Sequence, residues 1–261
     1  QGNAQDRGRL MEQLETEIEE GILHLTLNVP GKKNALTDTL RAELRGSIAE
    51  AQDDTGVRAL VIAGAGGAFC SGGDISAMTG DPDVARRRMS ILHDVVRMLI
   101  SGKKPAVAAV TGPAFGAGFS LALCCDQVIA DDTARFCASF ARVGLPPDLA
   151  LSWTLPRRVG ESAARRLLLS ARMVDAEEAL ALGLVDDRVA PDALREAAHA
   201  RAVELSGFAQ EAKGHVKALA TKAAGDLDAM LEAEMESYIA LLNSAEHKAA
   251  REAFLARSTS R

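Results

Sequence analysis

Lys103-Lys104-Pro105-Ala106-Val107-Ala108-Ala109-Val110-Thr111-Gly112-Pro113-Ala114-Phe115-Gly116-Ala117-Gly118-Phe119-Ser120-Leu121-Ala122-Leu123-Cys124-Cys125-Asp126 reads as a buried strand, a turn of small residues and a short apolar helix. Small residues let backbone come close to a ligand, and the first turn of a helix leaves N–H groups without intrahelical partners. Such a turn can hold an anion or a developing negative charge. The same pattern also serves tight packing of helix on strand, so this stretch alone does not separate a site from a scaffold.

A second turn of the same kind lies upstream. Ala59-Leu60-Val61-Ile62-Ala63 is a short continuous apolar run, as expected of a strand covered on both faces. It leads into Gly64-Ala65-Gly66-Gly67-Ala68-Phe69-Cys70-Ser71-Gly72-Gly73-Asp74. A dinucleotide fingerprint would need a third glycine where Phe69 stands, and a phosphate-binding loop would need Gly-Lys-Ser/Thr. Neither nucleotide motif is complete.

Strands and helices alternate around these turns. Gly21-Ile22-Leu23-His24-Leu25-Thr26-Leu27 pairs with residues 14–18 through a Glu19-Glu20-Gly21 turn. Thr37 or Asp38 caps a helix with inward positions Leu40, Leu44, Ile48 and Ala51. Asp81-Pro82 opens another, with Val84, Ile91, Leu92, Val95, Val96 and Leu99 as its buried stripe and Gly102 as its end. Residues 127–130 form a strand and 136–140 an extended piece.

Gly144-Leu145-Pro146-Pro147-Asp148 is a rigid loop, because each proline fixes its own dihedral and biases the residue before it. Asp148 suits a helix N-cap. Buried among Leu149-Ala150-Leu151-Ser152-Trp153 it would instead have a raised pKa, as a proton-transfer group needs. Asp175-Ala176-Glu177-Glu178 is a capping box whose helix Gly183 closes. Helical pattern continues near 192–206, 209–224, 226–243 and 246–257. These signals divide the chain into a disordered lead-in over 1–13, an α/β core over 14–200 and a helical region over 201–261.

Composition narrows the function classes. The 261 residues are 48% hydrophobic and 25% charged, enough for a substantial core. A net charge of -6 without a dense Lys/Arg run argues against nucleic acid or anionic membrane as partner. The longest apolar stretch, residues 106–130, is broken by Gly112, Pro113, Gly116, Gly118 and Asp126, so it reads as core, not as a membrane span. The polar opening of the chain shows no signal-peptide pattern. Cys70, Cys124, Cys125 and Cys137 lack zinc-site spacing, and their apolar surroundings suggest reduced thiols and a cytoplasmic location. His24, His93, His199, His215 and His247 are scattered, with no pair at helical ligand spacing, so no metal is expected.

Two glycine turns after two buried strands, followed by a helical tail, resemble the crotonase superfamily, the enoyl-CoA hydratase/isomerase family. The likeness runs from about residue 14 to 257. Leu27-Asn28-Val29-Pro30 with Asn34-Ala35-Leu36 is similar to the family's Asn-Arg-Pro and Asn-Ala-Leu opening, with valine in place of arginine. Ala68-Phe69-Cys70-Ser71-Gly72-Gly73-Asp74-Ile75 resembles its first glycine turn, and Lys104 to Gly112 with Gly116-Ala117-Gly118 resembles its second.

The resemblance implies an α/β spiral of ββα and βαβ turns with a C-terminal helical region used for trimerisation, in a homotrimer or a dimer of trimers. It implies an acyl-CoA thioester as substrate, no separate cofactor because CoA is part of that substrate, and an enolate whose oxygen meets the N–H groups of Gly73 and Ala117. Acyl-CoA would lie against Lys32, Ala35, Ala68, Gly72, Asp74, Ile75, Gly116, Ser120 and Phe140. Lys32, Lys33 and Arg257 are candidates for the CoA phosphates.

The hydratase branch carries two glutamates, at positions that match Ser120 and Phe140 here. Neither side chain can replace a glutamate in delivering a proton. Asp148 resembles the aspartate of the isomerase branches, including the ring-epoxide isomerase of phenylacetate breakdown, which Ala134-Arg135-Phe136 and Trp153-Thr154-Leu155-Pro156-Arg157 also resemble. The expected activity is double-bond isomerisation of an enoyl-CoA with Asp148 as proton shuttle. Hydration of an enoyl-CoA and acyl-CoA binding without catalysis are the alternatives. Gly118-Phe119-Ser120-Leu121-Ala122 also resembles a serine-hydrolase elbow, which would need Asp186 with His215 or His247.

Overall fold

Glu20 and Gly21, at φ 49° and 76°, turn strand β2 (Leu14–Glu19) back onto β3 (Ile22–Leu27) in antiparallel register. Two successive positive φ values match the twist of paired strands, which makes a two-residue hairpin turn favourable. The computed structural model describes residues 9–10, 12–207, 214, 217, 227–243 and 245–258. Arg9–Leu10 form a short β1 that pairs with Thr16 and Glu15, so the expected lead-in contributes an edge strand.

β4 (Ala59–Gly64), β5 (Ala106–Val110), β7 (Gln127–Asp131) and β10 (Asp187–Val189) extend the sheet in parallel, in the order β1-β2-β3-β4-β5-β7-β10. A small second sheet holds β6 (Pro113–Phe115), β8 (Arg135–Cys137) and β9 (Met173–Asp175) in the order β6-β8-β9. The central strands bury alternate residues on opposite faces. Leu60, Ile62, Ala106, Ala108 and Val110 join the main core, whereas Ala59, Val61, Val107 and Ala109 join a second cluster. This is why they read as continuous apolar runs.

Helix α1 (Asp38–Asp53) starts at Thr37, whose hydroxyl accepts the Leu40 N–H at 3.1 Å, and buries Leu40, Leu44, Ile48 and Ala51 as expected. α2 (Pro82–Ser101) is capped by Asp81. Its buried face holds Ala85, Met89, Leu92, His93, Val95, Val96 and Leu99, while Val84 and Ile91 of the expected stripe are only half-buried. The stripe is rotated because α2 packs against both α1 and a later helix, α8 (Leu227–Leu242). The extended piece expected over 136–140 divides into β8 and a 3-10 turn at Ser139–Val143.

α3 (Ala117–Leu123), α4 (Leu151–Val159), α5 (Glu161–Ser170) and α6 (Ala176–Leu182) follow in the core. Asp175 caps α6 by accepting the Glu178 N–H at 2.9 Å. α7 (Leu194–Ser206) lays Leu194, Ala198 and Ala202 on the second face of the sheet. α7 thus spans the boundary expected at 200 as one continuous helix. α8 and α9 (Ala245–Ser258) complete the described helices, and the helix expected near 209–224 lies outside the described residues, apart from Gly214 and Lys217. No helix among the described residues is long and apolar enough to cross a membrane.

Two buried histidines make the fold sensitive to acid. His93, on α2, is 1% exposed and its Nε2 has no partner, and His24 is 4% exposed beside His199. Burial pushes both down to about 4. The unfolded chain takes up these protons near pH 6.5 and the folded chain only near 4, so stability is full above 6.5 and falls through that window. Urea unfolding at pH 7.5 and 5 should differ by about 2 kcal/mol per histidine. His93→Leu should flatten its share of that slope.

Candidate active site

Two turns are locked against each other by backbone. Cys70 N–H donates to Pro113 O at 3.0 Å, and Phe115 N–H donates to Cys70 O at 2.9 Å. Gly72 has φ 101°, and a Cβ there would lie 2.8 Å from Phe115 O and 3.4 Å from the Ala117 nitrogen. Gly116, at φ 51°, takes a backbone shape open mainly to glycine and starts α3. Its N–H is tied to Cys137 O at 2.9 Å. The N–H groups of Gly73 and Ala117 find no acceptor among the described residues, and both residues line one large cavity.

Asn34 fastens the opening motif to the first turn. Fully buried, it accepts the Val29 N–H at 2.8 Å and donates to Ala65 O at 2.8 Å and Ala68 O at 2.7 Å. Every polar atom of its amide is used in this knot.

The cavity has a volume of about 1480 Å³. Its wall includes the expected residues Gly72, Gly73, Asp74, Ile75, Gly116, Ala117, Phe140 and Asp148. Lys32, Ala35, Ala68 and Ser120 are outside it. Lys32 is committed to Asp74 at 2.5 Å, and Lys33, beside it in sequence, lines the wall instead. Ala35 is buried, and Ala68 serves through its carbonyl. Ser120 is fully buried in α3 and donates back to Gly116 O at 3.3 Å. Asp186 is paired with Arg158 at 2.8 Å and His247 sits against Val143 O, so neither stands at Ser120 to make a hydrolase triad. His215 and the Arg257 side chain lie outside what is described.

Asp148 is set by an unusual loop. Leu149 and Ala150 both adopt positive φ, 48° and 59°, a conformation that costs roughly 1 kcal/mol or more for each non-glycine residue. Burial of Leu149, Ala150 and Leu151 at 0% exposure holds the loop in place. Ala150, not Asp148, is the N-cap of α4. The carboxyl is thus released from a capping role. It is 8% exposed, its Oδ1 has no partner, and burial pushes it up to about 7 while the nearby Arg41 charge pulls it back.

The second cavity carboxylate, Asp74, differs. Burial raises its pKa, but hydrogen bonds from Lys32 and from the Ser76 hydroxyl at 2.6 Å outweigh this and leave it below the usual carboxylate range. It is a fixed anion that caps the 3-10 turn Ile75–Ala77.

Three polar wall residues carry no sequence motif. Arg41 of α1 is buried and donates to Asp38 at 2.7 Å. Arg88 of α2 grips both oxygens of Asp38 and the Ala77 carbonyl. Tyr238 of α8 is pushed up to about 12 by burial and by the Asp148 charge. The single tyrosine of the chain in an amphipathic segment was the one signal available for it.

Outside the cavity, Glu19, His24 and His199 bring three possible metal-ligand atoms within 4.8 Å of one another. The two imidazoles come from β3 and α7, not from one helix face. His24 Nε2 and His199 Nδ1 are 3.0 Å apart with ring planes 9° apart, the geometry of two rings sharing one proton.

The enoyl-CoA hydratase/isomerase family model matches residues 17–260. The chain belongs to this family. It is 32% identical to the 1,2-epoxyphenylacetyl-CoA isomerase of Escherichia coli over 95% of its own length and 97% of that protein. It is 42% identical to a probable enoyl-CoA hydratase of Mycobacterium tuberculosis over 66% of its length and 69% of that protein. A crystal structure of an enoyl-CoA hydratase from Mycobacterium avium subsp. paratuberculosis superposes with a TM-score of 0.86 at 29% identity, covering 95% and 97% of the two chains. The crotonase fold and an isomerase or lyase class of enzyme follow for this family member.

Proposed function

We propose that this enzyme is an enoyl-CoA isomerase that moves a double bond between C3 and C2 of an acyl-CoA thioester. The observation that carries the reading is Asp148, the one cavity carboxyl among the described residues with a buried, unpartnered oxygen. Its carboxylate takes a proton from C2, and the electron pair moves into the thioester carbonyl as the enolate forms. The unpaired N–H groups of Gly73 and Ala117 meet that oxyanion, an interaction worth about 10²–10³ in rate for a single preorganised donor. The protonated Asp148 then delivers the same proton to C4, and the electrons return to form the C2=C3 bond.

Phe140, packed near Gly116, keeps water from the enolate. Lys33 at the wall suits the CoA phosphates. The reading includes trimeric assembly through the C-terminal helices, where Leu241 of α8 is exposed.

A hydratase name among the relatives favours a second reading, addition of water to a 2-enoyl-CoA. That route calls for a second carboxyl to position water, and the other cavity carboxylate is occupied by Lys32 and Ser76. The wild-type enzyme should convert 3-hexenoyl-CoA to 2-hexenoyl-CoA at least about 10²-fold faster than it hydrates 2-hexenoyl-CoA. The reverse ratio establishes the hydratase. Because Asp148 must be ionised to take the C2 proton, kcat/KM should rise through about pH 7 to a plateau.

A further inference from the structure

The acyl part of an enoyl-CoA is hydrocarbon, yet this cavity carries polar groups that hydrocarbon cannot satisfy. Arg41 is 8% exposed, spends one Nη on Asp38, and leaves its buried Nε without a partner among the described residues. Arg88 makes the contrast, because its Nε and both Nη groups are engaged with Asp38 and the Ala77 carbonyl. The Tyr238 hydroxyl, on a half-buried residue of the same wall, is not among the buried orphaned atoms and has no hydrogen bond to another described residue, while its ring packs against the apolar cluster of Ala85, Val143, Leu145 and Leu242. Asp148 and Tyr238 both feel the Arg41 charge, so the three groups share one neighbourhood of the wall.

We propose that this wall recognises a neutral oxygen function on the acyl group, such as a carbonyl, hydroxyl or cyclic ether, through the guanidinium of Arg41 and the hydroxyl of Tyr238. The proposal rests on the reading of the cavity as the acyl-CoA site. An aliphatic tail would strip water from the Tyr238 hydroxyl and bring the Arg41 guanidinium no acceptor, and burying a donor unpaired is unfavourable. A carboxylate would complement Arg41 but would face ionised Asp148 across the same neighbourhood. A neutral oxygen accepts from both donors without that repulsion. Sites built to hydrogen-bond a ligand oxygen discriminate strongly against the analogue that lacks it.

The test is isothermal titration at pH 8 with saturated thioesters, which cannot isomerise: hexanoyl-CoA, 4-oxohexanoyl-CoA, 5-oxohexanoyl-CoA and adipyl-CoA. At least one oxo compound should bind about tenfold or more tighter than hexanoyl-CoA, and Tyr238→Phe and Arg41→Gln should each erase most of that preference. Hexanoyl-CoA should bind no more weakly to Tyr238→Phe than to the wild type, because this variant removes only the unpaired hydroxyl, and it is the informative variant if Arg41→Gln fails to fold. Equal or tighter binding of hexanoyl-CoA overturns the proposal, as does a preference that survives in Tyr238→Phe. Tightest binding of adipyl-CoA overturns it in favour of an anionic acyl group. The isomerase reading is judged separately by turnover of 3-hexenoyl-CoA, so loss of either leaves the other standing.

Discussion

Asp148→Asn is expected to lower kcat for 3-enoyl-CoA isomerisation by about 10³-fold, within the range for loss of a general acid–base group. KM should move little, because the substitution preserves shape and removes only the capacity to carry a proton. The fold should survive. In the wild type, a buried carboxyl pushed up to about 7 is stable as the neutral acid and is taxed when it ionises. Its folded pKa exceeds the unfolded one, so its contribution to stability is full at low pH and is lost as pH rises through 7. Asn cannot ionise, so the variant's Tm at pH 8 should equal or exceed that of the wild type. A variant with full isomerase activity would remove Asp148 from the mechanism.

Gly118→Ala should be nearly as damaging for a different reason. Gly118 lies in the first turn of α3, and a Cβ there would come 2.1 Å from Cys70 O and 2.8 Å from Cys70 C and Cβ. Cys70 cannot step aside, because its N–H and carbonyl both bind the β6 segment that leads into α3. The clash is between two backbones, so rotamer adjustment offers no relief. We expect a destabilisation of about 3 kcal/mol. The surviving folded protein should lose about 10² in kcat as the Ala117 N–H shifts away from Gly73. Gly46→Ala is the control, since nothing lies within 4 Å of the added Cβ. In the interior of α1 it should raise stability by up to about 1 kcal/mol. Thermal melts with turnover assays on both variants separate the two outcomes.

The parts of the fold legible in the sequence are those governed by local chemistry. Thr37, Asp81 and Asp175 cap helices because their side-chain oxygens reach nearby N–H groups, and this depends on a few neighbouring residues. The glycine turns were legible because their conformations and close contacts exclude other residues. Arg41 was not legible. It sits beside Leu40 on α1 and reads as a solvent-facing charge until Asp38, itself held by Arg88 from α2, draws it into the wall. Tyr238 is brought to the cavity only by tertiary packing of α8. β6, β8, β9 and β10 have three residues each, too few for an alternating pattern to emerge. Phe140 was read as extended because a single 3-10 turn at Ser139–Val143 shows no helical period.

Gly144, at the head of the loop that carries Asp148, is covered by α9 so closely that a Cβ on it would lie 2.7 Å from the His247 Cα. The ring of His247 reaches the Val143 carbonyl across 104 positions of chain. During synthesis, therefore, the glycine turns and the sheet beneath them can form well before the segment that covers the Asp148 loop has emerged. A nascent chain is expected to pass through a stage in which the N–H groups of Gly73 and Ala117 are in place and the loop of Asp148 still lacks its cover. The cavity wall is complete only when α9 brings Ala253, Phe254 and Ala256 to it.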